Sequence, residues 1–186
     1  MALWGTSDAD EAKPKYLTDA QKKQVYATSA GWVAEPGLSG NGNASAQPEV
    51  LVAIGAQAVG IGAADITEIE FITTAFDKSD GGTLQVRVRF NEEVDVTGTP
   101  QLTVVNDTNA NHTLSYASGT GSNELVFSLV IGAANAATNE DDVLSFGANP
   151  LALNSGTIKD AGTSTVSTIT NSSAIGTAAG TITVAA

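Results

Sequence analysis

The sequence predicts an all-β protein: an antiparallel β-sandwich preceded by a small, mostly β N-terminal module. Three observations carry this. From residue 66 onward, apolar and polar residues alternate with a period of two in short runs. Clusters of Gly, Asn, Asp, Ser and Thr punctuate those runs at intervals of roughly 8–12 residues, the spacing of a sandwich. Beyond residue 63 no segment of ten or more residues carries a helical period.

The clearest strand is 83–90, where Leu84, Val86, Val88 and Phe90 alternate with Gln85, Arg87 and Arg89. That pattern predicts an apolar face turned inward and a polar face turned to solvent. Asp80-Gly81-Gly82 before it reads as a turn. Upstream, Glu68 and Glu70 alternate with Ile69 and Phe71, so 67–76 and 83–90 form an expected hairpin. Leu102 and Val104 make a third strand. Pro100 lacks a backbone donor and therefore suits the position just ahead of it. Leu114 and Tyr116 make a fourth, and Leu125, Phe127 and Leu129 a fifth, with polar turns at 106–111 and 118–123. Gly119 and Gly121 allow a tight turn between the last two. Weaker strands are expected near 143–146, 151–153, 157–159 and 181–184. Seven to nine short strands of this kind suit a sandwich of immunoglobulin-like type.

The chain changes texture near residue 63. Residues 1–62 carry four lysines, six acids and both tryptophans; residues 63–186 carry four basic and fourteen acidic residues. The division is therefore a docking module at 1–62 and a sandwich at 63–186. In the first part, 17–26 could form a short helix with Thr18 as N-cap and Gln21 three residues on, where a capping box expects Glu or Gln. A strand at 24–28 competes with it. Residues 37–43, rich in Gly and Asn, read as a loop, and 49–54 as a further strand.

Composition excludes much. The 186 residues hold 8 basic and 20 acidic side chains, a net charge of -12, which leaves too few cations to neutralise nucleic-acid phosphates or anionic membranes. Cysteine is absent and His112 is the one histidine, so thiolate chemistry and most zinc sites are excluded. His112 is expected to face solvent in the polar turn after Asn111. No secretion signal is visible at the N-terminus, and the longest apolar stretch, 50–64, is broken by Gly55, Gln57, Gly60 and Gly62. No catalytic triad, nucleophile elbow or phosphate loop can be assembled. Sequons at Asn43, Asn106, Asn111 and Asn171 are chance products of a Ser-, Thr- and Asn-rich chain. Neither an enzyme nor a cofactor is expected.

Acidic groups at Glu92, Glu93 and Asp95, at Glu140, Asp141 and Asp142, and at Asp77 and Asp80 read as solvated loops, with calcium binding as the alternative. Trp4, Tyr26 and Trp32 either form a small core or anchor an interface. With Val50, Val52 and Ile54 they form the candidate partner surface, because 62 residues make a poor independent core.

Four ordered segments carry a resemblance. The run Val94-Asp95-Val96-Thr97-Gly98-Thr99-Pro100-Gln101-Leu102-Thr103 carries a V-x-G-x-P-x-L pattern. Tyr116-Ala117-Ser118-Gly119-Thr120-Gly121-Ser122-Asn123-Glu124-Leu125-Val126-Phe127 follows Y-x-S-G-x-G-x-N-x-L-x-F. Asp141-Asp142-Val143-Leu144-Ser145-Phe146 and the run from Leu153 to Gly162 continue in order. Residues 66–170 thus resemble SwmB-type bacterial immunoglobulin-like repeats, departing at Thr163, where the repeat often has Asn. Separately, Met1-Ala2-Leu3-Trp4-Gly5, Lys13-Pro14-Lys15, the run from Val25 to Val33 and the run from Glu49 to Gly55 resemble the opening of structural proteins of large tailed phages of marine cyanobacteria. The second resemblance implies a virion component assembled in the host cytoplasm. The expected function is a capsid decoration protein that docks by residues 1–62 on the major capsid protein or other virion proteins, self-association being a further option. The alternatives are a neck, tail or host-attachment component, and a calcium-dependent adhesion or carbohydrate-binding module of a bacterial surface protein.

Overall fold

A computed structural model describes residues 13–14, 16–36, 45, 47–55 and 62–186 of the chain. Trp4 and the 37–43 loop lie outside the described residues.

The segment after Leu17 is divided: the helix is shorter than the 17–26 expected, and the competing strand holds from Val25 onward. Helix α1 is a single turn, Asp19–Lys22, closed by a capping box: Gln21 N–H donates to Thr18 Oγ1, and Thr18 N–H to the Gln21 side chain. Strand β1, Val25–Thr28, follows at once. It pairs antiparallel with β2, Gly31–Ala34, which pairs antiparallel with β3, Glu49–Ala53.

The larger part is all β, as expected. Its strands are β4 (Ile66–Phe71), β5 (Phe76–Asp77), β6 (Gly82–Thr97), β7 (Gln101–Asn106), β8 (His112–Ser118), β9 (Ser122–Ile131), β10 (Val143–Ser145), β11 (Leu151–Ala152), β12 (Thr157–Asp160) and β13 (Ile182–Ala185). One short helix, α2 (Ser173–Ala178), packs near β4. The strands run in the order β3-β2-β1-β6-β9-β8-β7-β10-β13-β5, with β4 and β12 also on β6 and β11 on β7. The 67–76/83–90 hairpin is present as β4 against β6, with Ile69 opposite Val88 and Phe71 opposite Val86. No helix among the described residues is long and apolar enough to cross a membrane.

Strand β6 organises everything else. Its first half is flanked by β4 on one side and β9 on the other. The β9 ladder breaks between Arg89 and Val94, and past the break residues 94–97 take β12 as partner. Leu84, Val86, Val88 and Phe90 are almost completely buried and join Leu102, Leu114, Leu125, Phe127, Leu144 and Ile158 in one apolar cluster. Each such side chain contributes roughly 1.5–3 kcal/mol by leaving water. The hairpin β8–β9 stacks Tyr116 on Phe127, ring centroids 6.1 Å apart and nearly perpendicular.

Three sequence expectations are corrected. Glu92 and Glu93 do not follow a strand; they lie within β6, and Glu92 is fully buried beside Ala27 of β1. The alternation puts Arg89 on a solvent face, yet only 8% of its side chain is exposed, because the N-terminal sheet covers that side of β6. His112 does not face solvent: it lies in β8, 5% exposed, with Nε2 3.2 Å from Thr138 Oγ1. The 137–142 loop folds over it, a tertiary contact that local polarity does not announce.

Candidate docking surface and the charged junction behind it

The N-terminal sheet has its own apolar cluster, separate from that of the sandwich. Trp32, Val25, Ala27 and Ala34 are buried at its centre, and Leu17, Leu51, Val52 and Ile54 pack around them. Gly31, at φ +131, lets the β3 backbone approach closely: an added Cβ would run into Val52 O and lie 2.6 Å from Ile54 N. Of the residues expected at a partner surface, Trp32 is wholly inside this core. Val52 and Ile54 cover its flank. Tyr26, with opposite orientation to its neighbours Val25 and Ala27, faces the junction with the sandwich and is 6% exposed. Val50 is the outward one, 48% exposed. Trp4 lies outside the described residues.

Among the described residues, β3 pairs only with β2, so its second edge presents backbone N–H and C=O groups without a ladder. Apolar side chains line this edge, with Glu49 the single charge in the strand.

Behind the sheet lies a polar junction. Arg89 Nη1 is 2.5 Å from Glu68 Oε2, and Arg89 Nε is 2.6 Å from Glu124 Oε1. Arg89 Nη2 reaches Glu35 Oε2 at 3.4 Å, and Glu70 Oε2 lies 3.6 Å from Nη1. Arg87 binds Glu70 at 2.6 Å and approaches Glu124 at 3.5 Å. Lys23, just past α1, binds Glu68 at 3.0 Å, and Asn123 Nδ2 donates to Glu35 Oε1 at 2.8 Å. Glu35 follows β2, so Lys23 and Glu35 tie the small sheet to β4, β6 and β9 through charge.

Among the described residues, three cations therefore face four carboxylates. Burial pushes the Glu35 carboxyl up, and repulsion from Glu124 adds to this against Asn123 and Arg89. Glu68 goes the other way: burial would raise it, but hydrogen bonds from Arg89 and Lys23 outweigh burial and hold it low. Tyr26 is pushed up to about 12, by burial first and then by Glu93, Glu35 and Glu124, so its phenol stays protonated.

Part of this junction was legible. Glu68 and Glu70 alternate on one strand of the expected hairpin, Arg87 and Arg89 on the other, and the observed register puts Glu68 opposite Arg89 and Glu70 opposite Arg87. Glu35 and Asn123 carried no comparable signal, being 88 residues apart in the chain.

The acidic loops are mostly engaged within the chain. Asp142 is 2% exposed and accepts from Asn106 Nδ2 at 2.7 Å, Asn109 Nδ2 at 2.9 Å, the Asn139 N–H at 2.8 Å and the Thr108 hydroxyl. Burial would raise its pKa, but these donors outweigh it and hold the carboxyl well below the usual range. A cation here would have to displace them. Asp77 caps its own turn, accepting from the Ser79 backbone and hydroxyl. Among the described residues no group of three or more His, Asp or Glu side chains could hold a metal ion.

Comparison with protein-family models, with curated proteins and with solved structures returns no match.

Proposed function

We propose that this chain is a structural protein of a phage particle, a decoration protein that docks on the capsid by its N-terminal module and holds an immunoglobulin-like sandwich outward. The reading rests on the edge of β3 that no described strand pairs with. It lies at the end of the strand order, separated by β2 and β1 from the sandwich, and carries the exposed Val50. An open apolar edge can accept a strand of a partner by backbone pairing, with side-chain contacts setting specificity. The major capsid protein or another virion protein is the partner this reading requires. A net charge of -12, most of it on residues 63–186, would hold many copies apart in water. The resemblance of the N-terminal segments to phage structural proteins supports the same reading.

The test is reconstitution on particles lacking the protein. Val50→Asp should reduce occupancy about tenfold, since a carboxylate would be desolvated at the edge, while leaving the melting temperature unchanged. Deleting residues 1–62 should abolish binding. Occupancy that survives both changes overturns the proposal. Copy number separates capsid from tail: hundreds per particle are expected for a capsid site.

A further inference from the structure

We propose that the groove between the N-terminal sheet and the sandwich is a binding site for a short, neutral oligosaccharide. The groove has a volume of about 450 Å³. That lies inside the range of small-ligand sites, roughly 300–1,000 Å³. It takes in Pro48 just ahead of β3 but no residue of β3 itself, so the inference stands or falls independently of capsid docking.

Charge selects the ligand class. The groove walls carry Arg87 and Arg89 against Glu35 and Glu124, each ion-paired within the wall. With Lys23, Glu68 and Glu70 behind them the cluster holds, among the described residues, one acid more than base, in a chain of net charge -12. An anion meets a net negative surround. A cation would have to take a carboxylate away from a guanidinium already bonded to it, at a loss the new pair would have to match. A neutral ligand does neither.

The accessible groups match a polyol. Arg87 and Glu124 keep 28% and 29% of their side chains exposed, and they stand 3.5 Å apart. A guanidinium donates and a carboxylate accepts, so neighbouring hydroxyls of one sugar ring can accept from the first and donate to the second. Gln24 adds an amide along the same wall, and Ser122, its hydroxyl held by Gly119 and Glu124 in the β8–β9 turn, lines it. Pro36 and Pro48 contribute apolar ring surface, against which the C–H face of a sugar can lie. The floor is fixed: Tyr26 and Asn123 are 6% and 4% exposed, and Asn123 is bonded to Glu35. A preformed floor lowers the ordering cost of a weak ligand.

The full chain, labelled with 15N, would be titrated with maltotetraose, cellotetraose, tetragalacturonate and the tetramer of glucosamine. At least one neutral tetramer should shift the amides of Ser122, Asn123 and Glu124 with a Kd on the order of 1 mM. The charged tetramers should bind at least about tenfold more weakly. Arg87→Lys keeps the charge but loses the planar fork, and should weaken binding about tenfold. Gln24→Ala, away from both apolar cores, should weaken it several-fold and guards against a folding artefact in the first variant. The proposal is overturned if no neutral tetramer moves those amides at about 10 mM, if a charged tetramer binds as well or better, or if both variants bind like the native chain.

Discussion

Glu35, one residue beyond β2, places Oε2 3.4 Å from Nη2 of Arg89 in β6 and so becomes the fourth carboxylate around a single guanidinium. The contact joins two parts of the chain whose apolar cores are separate. Among the described residues, ion pairs, the Asn123–Glu35 hydrogen bond and the parallel bridge of Ala27 with Glu92 attach the N-terminal sheet to the sandwich.

Removing the shared cation should be costly. Arg89→Met leaves Glu68, Glu124 and Glu35 without their common partner in a site where Arg89 is 8% exposed. A loss of about 3–5 kcal/mol is expected in urea denaturation. A loss under about 1 kcal/mol would mean that the carboxylates relax into solvent and the junction is not held by this residue.

Glu35 and Glu68 have opposite pH signatures. Glu68 is held low in the folded chain, so its contribution is present above the ordinary carboxylate range and is lost as pH falls through the folded value. Glu35 is raised, so the folded chain takes its proton before the unfolded chain does. Its contribution is complete below the unfolded value and is lost as pH rises through the folded one. Glu35→Gln should therefore match the native chain near pH 3 and equal or exceed it near pH 7, by up to about 1 kcal/mol. Asp142, also held low, adds to the loss of stability in acid. Melting curves from pH 3 to 8 of native, Glu35→Gln and Asp142→Asn chains separate these terms. A Glu35→Gln chain less stable than native at pH 7 would reverse the assigned sign.

Trp32 should control the small sheet alone. Trp32→Ala opens a cavity among Val25, Ala27 and Ala34, at a local cost of about 3–5 kcal/mol. Hydrogen exchange should accelerate in β1, β2 and β3 while the amides of β7, β8 and β9 stay protected. Uniform acceleration would show that the two cores unfold as one.

Gly119 tests the β8–β9 turn. It sits at φ +117, and a Cβ there would run into the backbone carbonyl of Glu124. Gly119→Ala should cost about 1–3 kcal/mol from backbone strain alone. Its readout is thermal melting together with loss of the Tyr116–Phe127 ring contact in NMR spectra.

The sandwich was legible because its signal is local. Alternation in β6, β8 and β9 needs only a strand with one face in oil, and the turns between them are marked by glycine, asparagine and proline. The α1 cap was legible for the same reason, since Thr18 and Gln21 complete each other within one turn. The hairpin register even paired Glu68 and Glu70 with Arg89 and Arg87. What lay beyond local pattern was which polar face would be covered. Arg89, Glu92, His112 and Asp142 are residue types that favour water, and each is buried here by a segment distant in the chain.

The sequence by itself determined the β architecture, the division in texture near residue 63, the absence of thiol chemistry and the acidic balance, because these depend on composition and on neighbours a few residues apart. Only the tertiary structure decided that the outer face of β6 is an ion-paired junction, that Trp32 is core, that Val50 is the exposed large apolar side chain of β3 and that a groove lies at Arg87 and Glu124. Those depend on where the N-terminal sheet lands, and that is set by contacts such as Glu35 with Arg89 and Asn123, whose long sequence separation leaves no periodic trace.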